Sequence, residues 1–183
     1  MTRRERMRRV VLLCCNFARN LAYYRVGQSE RDHSIHADWH PQASFWRQAN
    51  TNFLDTCVLE WCKLLGDKKA EHHWSRVVSD AAAFEAGLLH HIGIDVDSFQ
   101  KEIDSMRSYR DKFIAHLDSL PVMNIPMLDI AQASVWFYHG YVVGHEIAAD
   151  DLTGLPDTMN KFIRGYEQCV DEATDVYLKQ TRL

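Results

Sequence analysis

The sequence predicts an all-α fold, a single-domain helical bundle of five or six helices. Three observations predict it. Apolar residues recur at steps of three and four in six separate stretches. Only eight Gly and four Pro punctuate 183 residues, which suits long helices joined by short loops. No strand alternation, internal repeat or low-complexity tract interrupts the pattern. A chain of 183 residues suits one domain whose core needs no staples. Residues 1–183 therefore read as one unit: an N-terminal helix and His-rich loop over 1–41, then a core bundle over 42–180.

The first helix is expected over residues 2–25, with Met7, Val10, Val11, Cys14, Phe17, Ala18, Leu21 and Tyr24 on one side. Arg3, Arg4, Arg6, Arg8 and Arg9 crowd its start, where cations oppose the helix dipole. They read either as a solvated, frayed end or as an arm that contacts phosphates. Residues 26–41 read as a polar loop opened by Gly27 and closed by Pro41. A second helix spans 42–65, with Trp46, Phe53, Cys57, Trp61 and Leu64 on its stripe, Asn50 and Glu60 at its edge, and Gly66 as its stop. After a charged turn, a third helix runs from His72 to about Ile92, with Val77, Val78, Ala81, Phe84, Leu88 and Leu89 inward. Adjacent His pairs at its two ends point about 100° apart and read as structural. Asp97 followed by Gln100 has the capping-box form and starts a fourth helix at Ser98. Pro121 ends that helix near 118–120. A fifth helix over 127–149 is apolar nearly all round and is expected to be central, and a sixth covers 157–180.

An apolar share of 46% and a charged share of 25% are ordinary for a globular protein. The net charge of −4 does not by itself announce a nucleic-acid binder. Five Cys without a C-x-x-C, most of them inside apolar helical patterns, read as reduced core thiols of a cytoplasmic protein. The basic start followed by VVLLCC is too short an apolar run for a secretory signal, and no stretch is long enough to span a membrane. There is no Gly-rich phosphate loop, nucleophile elbow or paired-Cys zinc pattern, so no cofactor is expected.

The fourth helix carries the candidate chemistry. Its stripe reads Phe99, Ile103, Met106, Phe113 and Leu117, with one position missing, and Arg110 falls there. At about 100° per residue, Arg110 lies within roughly 60° of every member of the stripe. A guanidinium so placed needs a partner, a wet cleft or an anion. His116 follows six steps later, roughly 9 Å along the axis, on one flank, and Asp111 lies on the other. An always-charged cation, an imidazole and a carboxylate on one helix edge are the parts for phosphate binding and proton transfer.

The segment YRDKFIAHLD, residues 109–118, resembles the signature of the HEPN superfamily of prokaryotic helical domains: Arg, a polar residue, then His late in a bundle helix. LEWCKLLG at 59–66 and HHW at 72–74 are similar to the abortive-infection AbiU type of that superfamily. The resemblance covers roughly residues 45–180. It implies a homodimer in which two motifs face each other across the seam. In active members it implies metal-independent RNA cleavage, with Arg110, Asp111 and His116 as the catalytic set and RNA as substrate. An antitoxin or other partner protein is implied by toxin and phage-defence members. Lys112 and the N-terminal arginines are the expected RNA contacts. A non-catalytic HEPN interaction or nucleotide-binding module is the alternative. A third reading is a metal-dependent bundle using His33, His36 and His40, which are spaced three and four apart.

Overall fold

The computed structural model describes residues 1–33, 41–115, 125–126 and 128–181. Among them every regular element is helical. The order is α1 (Arg3–His33), α2 (Pro41–Trp61), α3 (Trp74–Val77), α4 (Ala81–Ile92), α5 (Val96–Tyr109), α6 (Leu128–Tyr141) and α7 (Met159–Thr181). Three of these helices widen into π turns at their C-terminal ends: α2 over Cys62–Gly66, α5 over Arg110–Ala115 and α6 over Val142–Glu146. A 3₁₀ turn follows at Ala149–Leu152. None of the described helices is long and apolar enough to cross a membrane.

The helix that the others gather around is α1, which packs against α2, α6 and α7, rather than the expected α6. Val10, Val11, Cys14, Phe17 and Leu21 of α1 have no exposed surface. Each such side chain taken from water stabilises the fold by about 1.5–3 kcal/mol before ordering entropy is counted. Trp61 of α2 fills the centre, and its indole N–H donates to Ser134 Oγ on α6 at 2.9 Å. Phe84 of α4 holds together a ring cluster of Trp74, Phe137, Tyr138 and Tyr141.

Several boundaries differ from expectation, each for a local reason. Helix α1 does not stop near residue 25 but continues through Gly27 to His33. Gly27 is there for space: a Cβ would overlap Asn50 Oδ1 of α2 and the Tyr177 hydroxyl of α7. The third helix is broken in two at residues 78–80, where Val78 is extended and Asp80 caps α4 by accepting from Ala83 N at 2.9 Å. Helix α5 starts two residues early, because its cap is Asp95, which accepts from Ser98 N at 2.7 Å. Gly93 precedes it in the left-handed region, with φ 72°.

Candidate functional site

The stripe of α5 is continuous. Phe99, Ile103, Met106 and Tyr109 are buried and Phe113 packs on the core, at steps of four, three, three and four. Tyr109 therefore fills the position that Arg110 was expected to interrupt. Its hydroxyl donates to Asp55 Oδ1 at 2.9 Å, which lets an amphipathic ring lie inward. Arg110 stands one residue on, at the edge, with 19% of its side chain exposed. The cost of a guanidinium in a core stripe is thus avoided, and its charge is met by two carboxylates.

Those carboxylates are Asp111 and Asp67. Arg110 Nε donates to Asp111 Oδ1 at 2.8 Å, and Arg110 Nη1 donates to Asp67 Oδ2. Arg107, three residues back on the same helix, brings its Nε to 3.8 Å from the other Asp67 oxygen. Asp67 is held by the wide turn that ends α2, its N–H donating to Cys62 O at 2.8 Å. The cluster lies within electrostatic reach of the Cys62 thiol, which burial pushes up to about 12. Hydrogen bonds to Asp67 and then Asp111 push the already high pKa of Arg110 higher still, so its charge is permanent. Residues 67–69 and 107–112 hold five cations (Lys68, Lys69, Arg107, Arg110, Lys112) against two carboxylates, a local excess that the net charge of −4 conceals. Lys112 is exposed on the π turn.

His116 is the next residue after Ala115, where that turn ends; it lies outside the described residues, as do His36 and His40. His33 belongs to α1. Among the described residues no three His, Cys, Asp or Glu side chains are grouped as metal ligands.

Four of the five N-terminal arginines have partners in the fold. Arg3 forms an ion pair with Glu146 and donates to its backbone oxygen at 2.9 Å. Arg4 Nε sits 2.9 Å from Asp151 Oδ1, and Arg8 donates to the carbonyls of Asp151 and Thr153 at 2.6 and 3.1 Å. Arg6 donates to Arg76 O at 3.3 Å, and Arg9 is exposed. The cations that oppose the dipole of α1 therefore lie beside the carbonyl-rich end of α6 and its following turn, where positive charge is favoured. A chain of contacts links this arm to the Arg110 cluster, because Arg76 Nη1 donates in turn to Lys69 O at 2.6 Å.

Two buried histidines are structural. His73 accepts from Ser75 N at 3.2 Å through Nδ1 and faces Leu65 O at 3.1 Å through Nε2, which fixes the Nε2–H tautomer. His139 stacks on Phe162 with ring centroids 4.0 Å apart. Burial lowers both to about 4. A groove of about 370 Å³ between α1 and α7, lined among others by Cys15, Arg19, Phe162 and Cys169, shares no residue with the Arg110 cluster. Burial pushes Cys15 up to about 11, which makes it a poor nucleophile.

Sequence reasoning missed Asp67 and Arg107. Arg107 had a readable signal in its i,i+3 spacing to Arg110. Asp67 had none, because its pairing with Arg110 crosses 43 residues. Compared with family models, curated proteins and solved structures, the chain matches none.

Proposed function

We propose that this protein is a metal-independent endoribonuclease of HEPN type, acting in a toxin or phage-defence (abortive-infection) role through Arg110 and His116 at a homodimer cleft. The observation that carries the reading is the convergence of two arginines on one anion at the edge of α5, in a locally basic stretch. The turn bearing Arg110 leads in sequence directly to His116. In this reading Arg110 holds the scissile phosphate and stabilises the charge that develops on it. One imidazole takes the proton of the RNA 2′-hydroxyl as its oxygen attacks phosphorus. The bond from phosphorus to the 5′-oxygen breaks, and the second imidazolium of a dimer protonates that oxygen. Asp111 orients the Arg110 fork through the bond to Nε.

A specific observation favours a second reading. Arg110 already has two carboxylate partners within its own chain. In a non-catalytic interaction or nucleotide-binding module those ion pairs are the purpose of the residue. One experiment separates the two. Total cellular RNA is incubated, with EDTA, with the wild type and with Arg110→Ala and His116→Ala, each checked by light scattering for mass. The ribonuclease reading expects cutting by a dimeric wild type and at least a 10²-fold loss in both variants. A well-folded wild type that leaves RNA intact assigns the chain to the interaction module, and a mass of one chain removes the shared-cleft mechanism.

A further inference from the structure

Asp67 sits in an unfavourable place for an acid. It directly follows the C-terminal turn of α2, where the helix dipole and unpaired carbonyls repel negative charge. Its backbone does not depend on the carboxylate, since the N–H already closes the π turn on Cys62 O. What meets the carboxylate is Arg110, hydrogen-bonded to Oδ2, with Arg107 Nε 3.8 Å from Oδ1. Arg110 is fixed in plane by Asp111 at its Nε, and among the described residues its Nη2 has no hydrogen-bond partner. Two guanidinia, three residues apart on a helix and aimed at two oxygens of one anionic centre, also match the two non-bridging oxygens of a phosphodiester.

We propose that Arg107 and Arg110 form a two-pronged phosphodiester clamp, and that Asp67 is its internal stand-in, filling the clamp until an RNA phosphate displaces it. The inference rests on the RNA-directed reading of the site and adds to it Arg107 as a second binding residue and Asp67 as a brake. The surroundings favour RNA over an isolated anion. Lys68 and Lys69 follow Asp67, Lys112 follows Asp111, and the contacts through Arg76 lead on to Arg6 of the basic arm. A polyanion meets all of these cations, whereas a single phosphate meets only the clamp.

The test is binding rather than cleavage, so that it stands apart from the nuclease experiment. A fluorescent 2′-O-methyl oligoribonucleotide, which cannot be cut, is titrated by anisotropy against wild type, Asp67→Asn, Arg107→Ala and the double variant, at two salt concentrations. Asp67→Asn is expected to bind about tenfold tighter, because it removes a competing charge held by two cations. Adding Arg107→Ala should abolish that gain and flatten the log–log salt dependence by about one unit. Circular dichroism checks folding, and Asp67→Ser repeats the measurement if the Asn variant is unfolded. Unchanged affinity in a folded Asp67 variant, or a gain that survives Arg107→Ala, overturns the clamp. An equal gain for fluorescent adenosine monophosphate overturns RNA as its ligand. Tighter binding by Asp67→Asn with no cutting by wild type would sink the nuclease and keep the clamp.

Discussion

His139 has no exposed surface and lies between the Phe162 ring and the Met159 sulfur, 3.3 Å from its Nδ1. Charging it there removes an imidazolium from water without an acidic partner. The folded pKa of about 4 lies below the ordinary value of 6.5, so the unfolded chain binds the proton more readily. The stability held by neutral His139 is complete above pH 6.5 and drains away as pH falls to about 4. The full difference is about 3 kcal/mol, and His73 behaves in the same sense. Thermal unfolding should therefore drop in midpoint between pH 7 and pH 5, and His139→Phe, which keeps a stacking ring, should flatten part of that drop. An equally steep drop in the variant removes His139 as a cause. At this scale the sequence was partly legible. The charge and reach of Arg110 could be read from spacing. The stripe could not, because a tyrosine whose hydroxyl meets Asp55 buries as well as a leucine, and a period alone does not reveal that partner.

Among the helices, α1 was the least legible in extent, and Gly27 is the reason. A glycine usually marks a helix stop because it is free to turn, yet here it leaves room for side chains of α2 and α7 against α1. Periodicity within one helix carries no information about a crossing with two others. Two substitutions separate the meanings. Gly27→Ala places a Cβ against Asn50 and Tyr177 and should destabilise by about 1–3 kcal/mol in urea unfolding. Gly165→Ala, in α7 with nothing within 4 Å of the added atom, should stabilise by about 0.5–1 kcal/mol. Equal effects at the two sites would contradict this account. The break between α3 and α4 was hidden for a similar reason. Asp80 is a readable cap, but what holds the break is Ser79, whose N–H and hydroxyl both donate to Glu146 Oε1, at 2.7 and 2.9 Å.

Across the whole molecule, Glu146 joins three parts of the chain that lie far apart in sequence. Its side chain is 1% exposed and accepts from Arg3, at the start of α1, and from Ser79, between α3 and α4. Glu146→Ala removes the acceptor shared by Arg3 and Ser79 and should cost about 1–2 kcal/mol, less than a buried pair because both donors keep access to water. Glu146→Gln keeps an acceptor for Ser79 and should cost less, so the unfolding midpoints should rank wild type, Gln, Ala. The fold class was legible because every amphipathic stripe points to the same kind of packing. The arrangement of the helices was not, because it depends on contacts such as Arg8 with Thr153 that span 145 residues.

That stitching has a consequence for synthesis. Of the helices described, α1 leaves the ribosome first, with Val10, Val11, Cys14 and Phe17 in need of cover. Its partner α2 comes soon after, but the carbonyls that receive Arg3 and Arg8 and the face of α7 that covers α1 come last. Until then the nascent chain carries α1 with α2 as its main cover. Cells that make this protein slowly, or in truncated form, should therefore find its first helix in the hands of chaperones.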